Sequence, residues 1–139
     1  MKPIIGVTAD TQVLCAPDNR HAMIVGARED VYVYSNGKFR SKSVKYIDSV
    51  MSANIVILKF NTYTISCGKD TEFLMEDKTF LRCSDIPIGS HLFTLDGSSV
   101  VLREFSFYHG DCVPLCRLVL GDDYCGVELP NRTFVRVGI

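Results

Sequence analysis

Ile65-Ser66-Cys67-Gly68-Lys69-Asp70-Thr71-Glu72-Phe73-Leu74-Met75-Glu76-Asp77-Lys78-Thr79-Phe80-Leu81-Arg82-Cys83-Ser84-Asp85-Ile86-Pro87-Ile88-Gly89-Ser90-His91-Leu92 is the stretch on which the fold turns. Two short runs, 72–75 and 79–82, flank the polar turn Glu76-Asp77-Lys78. Both are too short for a helix and carry strand-forming residues. A strand at 62–66 leads into the stretch. A further one at 91–95 leaves it for Asp96-Gly97, a dipeptide that suits the tight turn of a β-hairpin.

The same grammar extends in both directions. Val31-Tyr32-Val33-Tyr34 is followed by Ser35-Asn36-Gly37-Lys38, and Asn-Gly between strand-like runs is the strongest short hairpin signal. Further strands are predicted at 38–44, 55–60, 100–107, 116–120, 126–129 and 133–137. Gly121-Asp122-Asp123 and Pro130-Asn131 separate the last three. The one helix candidate is 45–51, where Ile47, Val50 and Met51 have helical spacing. The expectation is an all-β pseudo-barrel of many short, twisted strands with at most one short helix, in a single domain over residues 1–139.

Composition agrees with a packed domain: 47% of the residues are hydrophobic and 22% charged, enough apolar material to offset chain entropy. A formal net charge of −1 supplies no long-range attraction for nucleic acid or an anionic membrane. The opening apolar stretch is interrupted by Gly6 and Asp10, unlike a secretory signal, and no apolar run approaches a membrane span. A cytoplasmic location with six reduced cysteines is therefore expected.

Three segments, in this order, resemble the Hint (hedgehog/intein) domains. Gly6-Val7-Thr8-Ala9-Asp10-Thr11-Gln12-Val13-Leu14 is similar to an intein's opening strand. The stretch 65–92 is similar to the central motif, with Asp85-Ile86-Pro87-Ile88-Gly89-Ser90-His91-Leu92 as its closing element. Leu115-Cys116-Arg117-Leu118-Val119-Leu120-Gly121-Asp122-Asp123 and Leu129-Pro130-Asn131-Arg132-Thr133-Phe134-Val135-Arg136-Val137 are similar to the last two strands. The resemblance implies that the chain ends meet at the splicing site and that the last strand pairs near the first.

It also implies that the splicing chemistry is missing. Gly6 stands where an intein has its cysteine or serine nucleophile, with five residues before it. Gly68 and Thr71 stand where a threonine and a histidine polarise and protonate the scissile amide; a one-residue shift would put Cys67 and Asp70 there. Arg136 and Val137 replace the terminal histidine and asparagine, and Arg117 replaces the aspartate of the penultimate strand.

Other constellations carry weaker chemistry. Cys67 lies beside the implied site, but with no local histidine it is expected to be an unreactive core thiol. His109, Cys112, Cys116 and Cys125 are zinc-type residues, yet no Cys-x-x-Cys completes a set, so neither metal nor cofactor is expected. Asp10 and Asp70 are a carboxylate pair only if folding joins them. Lys38, Arg40 and Lys42 recur at period two, either a polyanion-binding stripe or a solvated strand face that guards an edge. Phe105, Phe107 and Tyr108 form one aromatic group and Tyr32, Tyr34 and Phe39 another, and both are expected to be buried.

Three functions follow as expectations. The first is a non-catalytic interaction or structural module with another protein as partner, of a kind suggesting a viral or mobile-element source. The second is residual autoprocessing or thiol chemistry through Cys67 or Cys15. The third is polyanion binding through Lys38, Arg40 and Lys42.

Overall fold

In a computed structural model, residues 3–27, 29–121 and 123–139 are described; Asp122, part of one predicted turn, lies outside them. Twelve strands form one continuous mixed sheet. They are β1 (Val7–Thr8), β2 (Gln12–Cys15), β3 (Arg20–Met23), β4 (Val31–Ser35), β5 (Lys38–Lys42), β6 (Tyr46–Phe60), β7 (Thr64–Cys67), β8 (Glu72–Leu74), β9 (Phe80–Arg82), β10 (Leu102–Val119), β11 (Cys125–Glu128) and β12 (Phe134–Gly138). Two single 3-10 turns, Ile24–Gly26 and Cys83–Asp85, are the only helical elements among the described residues.

The hairpin read from Asn36-Gly37 is present, with Ser35 opposite Lys38 and Tyr34 opposite Phe39. Asn36 and Gly37 both take positive φ, 53° and 77°, as that turn requires. Residues 45–51 are not helical. Tyr46 to Met51 extend β6, paired with β10 from Tyr46↔Val119 to Met51↔Pro114. Ile47, Val50 and Met51 fit a helical spacing, but Tyr46, Ile47 and Val50 are strand formers, and the β10 ladder satisfies their main chain directly. The two predicted strands at 100–107 and 116–120 are likewise one strand, β10. Gly110, Asp111 and Cys112 bulge out between the pairs His109↔Asn54 and Val113↔Ser52, so the run continues past a segment that reads as a break. Two of the strands are consequently long, 15 and 18 residues, instead of short.

The sheet curls around one main core that includes Val7, Val33, Leu58, Phe73, Leu118 and Val135, with the alternate residues of most strands turned inward. A satellite cluster of Tyr34, Leu74 and Phe134 packs with Phe80 and Phe93. Tyr34 is buried and meets Phe39 at 4.7 Å between ring centroids, but Phe39 itself is 41% exposed, against expectation. Phe105 is half-buried, but Phe107 and Tyr108 are 70% and 48% exposed, against expectation. The cause is topological: β6 flanks this part of β10 on one side, and no described strand flanks it on the other.

β10 is also the element that gathers the chain ends. β1 pairs with it antiparallel (Val7↔Cys116, Thr8↔Leu115) and β12 parallel (Leu118↔Gly138). The last strand and the first therefore lie on the same strand without bonding each other.

Candidate functional site

The segment 4–6 lies along the turn 68–71 as an extra, short ladder. Gly68 N–H donates to the Gly6 carbonyl at 2.9 Å, and Asp70 N–H to the Ile4 carbonyl at 3.0 Å. The Ile4 N–H donates back to Asp70 Oδ2 at 2.8 Å. Thr71, wholly buried, uses its hydroxyl twice: it accepts from Gly6 N–H at 3.1 Å and lies 3.2 Å from the Gly6 carbonyl.

Both glycines are there for want of space. A Cβ on Gly68 would sit 2.4 Å from the Ile4 carbonyl oxygen. A Cβ on Gly6, whose φ is +151°, would sit 2.9 Å from Leu115 Cβ and 3.0 Å from the Leu115 carbonyl carbon. At Gly68 the obstacle is the Ile4 backbone, and at Gly6 it is Leu115, side chain and backbone together.

Two thiols lie directly beneath. The hydrogen bond with Cys83, together with complete burial, holds the Cys67 thiol well above its ordinary value. The same hydrogen bond lowers Cys83, whose Sγ also faces the Gly68 and Lys69 carbonyls at 3.5 and 3.4 Å. Burial likewise raises Cys15, more than Arg20 lowers it. Cys67 and Cys15 are thus protonated at neutral pH and out of reach of solvent.

Beside the Ile4–Gly6 ladder opens a cleft of about 360 Å³ lined by Pro3, Ile5, Asp70, Glu72, Arg82, Tyr124 and Arg136. Its charges are already matched. Arg136 binds Glu72 at 2.8 Å and covers the Phe80 ring at 4.8 Å; Arg82 binds Asp70 at 3.3 Å and Asp85 at 3.4 Å. The structure thus brings Gly6, Cys67, Gly68, Thr71 and Arg136 to one place. Val137, next to Arg136, points into the core. Arg117 stands apart on β10, paired across the ladder with Asp48 on β6, and its Nε is buried without a partner.

The chain as a whole superimposes on known structures. A bacterial intein-like domain from Clostridium thermocellum superimposes with a TM-score of 0.77, covering 98% of this chain and 99% of that one at 17% identity. The fold is that of an intein-like, or Hint, domain. A DnaB intein from Synechocystis sp. PCC 6803 gives a TM-score of 0.69 at 15% identity, with 97% and 99% of the two chains covered. An intein from a hyperthermophile gives 0.74 at 11% identity, with 95% and 99% covered. No family model and no curated protein matches the chain by sequence. At such identities the likeness carries the architecture alone.

The other sequence candidates are scattered over this intein-like scaffold. Cys116 and Cys125 are buried, Cys112 is exposed on the β10 bulge, and His109 bonds Asn54 at 2.7 Å. Among the described residues no group of three His, Cys, Asp or Glu is placed to hold a metal ion. Asp10 lines a different cleft, with Thr8, Gln12 and Tyr63, so it is no partner for Asp70. Lys38 and Arg40 are exposed on β5, which pairs only with β4, while Arg40 and Lys42 already have interactions within the chain. Among the described residues no helix is long and apolar enough to cross a membrane. Sequence reasoning did not single out Glu72 and Arg82 as cleft residues, and reached Asp70 only through a one-residue shift. The Asp70 and Glu72 carboxylates flanking Thr71 were the available signal.

Proposed function

We propose that the chain is a non-catalytic interaction or structural module on an intein-like scaffold. The observation that carries this reading is the packing around Gly6. An acyl shift at the Ile5–Gly6 bond needs a thiol or hydroxyl on the residue after that bond. Gly6 has no side chain, and Leu115 occupies the space in which one would begin. The surrounding groups are committed to holding the peptide: the Thr71 hydroxyl and the Gly68 and Asp70 amides bind the main chain of residues 4–6. The raised thiols of Cys67 and Cys15 argue against a substitute nucleophile.

The test is a fusion with a carrier domain ahead of residue 1, incubated with excess thiol or hydroxylamine. Intact fusion is expected for the native sequence and also for Gly6→Cys, because the cysteine has no room to reach the Ile5 carbonyl. Release of the carrier from the native fusion overturns the reading. Release from Gly6→Cys alone shows a site that lacks only its nucleophile, and overturns the packing argument.

A further inference from the structure

The middle of β10 is an open sheet edge of unusual make-up. At one end the Leu102 main chain is closed off by Gly89 N–H at 2.8 Å and the Ser90 carbonyl at 3.1 Å. At the other, β1 covers Leu115 and Cys116. Between them β10 pairs only with β6.

Which main-chain groups are left open follows from the neighbouring hairpin. Phe60 N–H donates to the Tyr63 carbonyl at 2.7 Å, so Phe60, Leu58 and Val56 turn their main-chain groups toward β7. Their opposite numbers on β10 do not bond β6 through those positions. Leu58 faces Phe105, Val56 faces Phe107 and Asn54 faces His109. In an antiparallel ladder those three residues then direct their N–H and C=O groups outward. Among the described residues nothing meets them. Phe107, at the centre, is the most exposed large apolar residue described, and its ring packs edge-on against Phe105 at 4.8 Å.

The flanking charges are unpaired too. Arg103 and Asp111 have no ion-pair partner among the described residues. They lie four residues to either side of Phe107, each in a register irregularity that bounds the regular Glu104–His109 ladder. A two-fold axis through Phe107 would bring each Arg103 toward the Asp111 of a second copy, just beyond both ends of the ladder. An antiparallel ladder between outward-facing residues permits only axes through a residue. An axis through Ser106 opposes Arg103 to His109, and one through Tyr108 opposes Asp111 to Phe105. The charges select Phe107, which then meets its own copy across the axis while Phe105 meets His109.

We propose that residues 104–109 of β10 are an antiparallel docking edge for a second copy of this chain, joined main chain to main chain about Phe107, with Arg103 and Asp111 just beyond its two ends pairing across the axis to hold the register. This names a partner and a surface for the interaction module inferred above. It rests on that reading only for its purpose: that reading is judged by carrier release at Gly6, whereas this one is judged by mass. The Gly110–Cys112 bulge and Pro114 end the edge, which limits the assembly to a closed pair and prevents an open-ended stack.

Sedimentation equilibrium of the full chain, from about 5 to about 500 μM, tests it. The native protein is expected to shift from monomer to twice the monomer mass, without larger species. Phe107→Pro removes an N–H that the monomer does not use, so the fold should survive and the dimer should weaken at least tenfold. Arg103→Asp should also weaken it, and Arg103→Asp with Asp111→Arg should restore it, since the swap recreates both cross-axis pairs. A native chain that stays monomeric throughout overturns the proposal, as does a dimer indifferent to Phe107→Pro. Failure of the charge swap to rescue overturns it as well, because only the two-fold register predicts rescue.

Discussion

Thr71→Val exchanges one hydroxyl for a methyl of nearly the same shape, and the structure fixes what that costs. Two contacts disappear, to the Gly6 N–H at 3.1 Å and to the Gly6 carbonyl at 3.2 Å. The carbonyl keeps its bond from Gly68 N–H, so it stays satisfied. The Gly6 N–H does not, and it is buried. Leaving a buried donor without a partner costs about 1–3 kcal/mol, more than the net worth of a typical hydrogen bond. A loss of about 2–3 kcal/mol is expected in urea unfolding. Thr71→Ser keeps the hydroxyl and loses one buried methyl, which should cost only about 1 kcal/mol. Native-state hydrogen exchange localises the effect: the Gly68 and Asp70 amides, which hold residues 4–6, should lose protection in the valine variant and retain it in the serine variant. If valine costs no more than serine, or if those two amides are unaffected, Thr71 does not fasten the N-terminal segment and the account of the site is wrong.

The cysteines and Glu128 supply the other expectations. Under native conditions a maleimide should modify Cys112 within minutes and leave Cys67 and Cys15 untouched until denaturant is added, since only Cys112 is exposed; prompt labelling of Cys67 read by peptide mass would contradict the buried-thiol picture. Burial holds the Glu128 carboxyl above its ordinary 4.5 in spite of the Arg132 guanidinium beside it. A proton bound more tightly in the folded state contributes stability that is fully present below about pH 4.5 and lost as pH rises through the folded value. Glu128→Gln should flatten that fall in melting temperature above pH 4.5 relative to the native chain; an unchanged profile would refute it.

Much of the fold was legible because the strands advertise their turns. Asn36-Gly37 fixed one hairpin in register, and Cys125–Glu128 and Phe134–Gly138 fall within a residue of where the pattern puts them. The long strands were not legible, for a local reason. Gly110 and Pro114 are breakers in isolation, and only the uninterrupted β6 partner carries the strand through them. β3 was missed because Arg20-His21-Ala22-Met23 sits on the outer edge, where no core imposes an apolar alternation. At the site, Gly6, Gly68 and Thr71 could be singled out in the sequence. The reason for the glycines could not, because Ile4 and Leu115 reach them only through long-range pairing. The exposure of Phe107 was hidden for the same reason: alternation says which residues share a face and is silent on whether anything covers it.

The placement of β1 also sets an order of events during synthesis. Val7 bonds to Cys67 on one side and Cys116 on the other. The opening strand must therefore wait for about a hundred further residues before its second neighbour exists, roughly 5–20 s at ordinary rates of translation. Throughout that interval the apolar face of residues 4–7 is unsheltered, and the clasp around Gly6 can shut only after β10 has left the ribosome. A chain so threaded completes the pairing of its first strand only after nine of the other strands have been made.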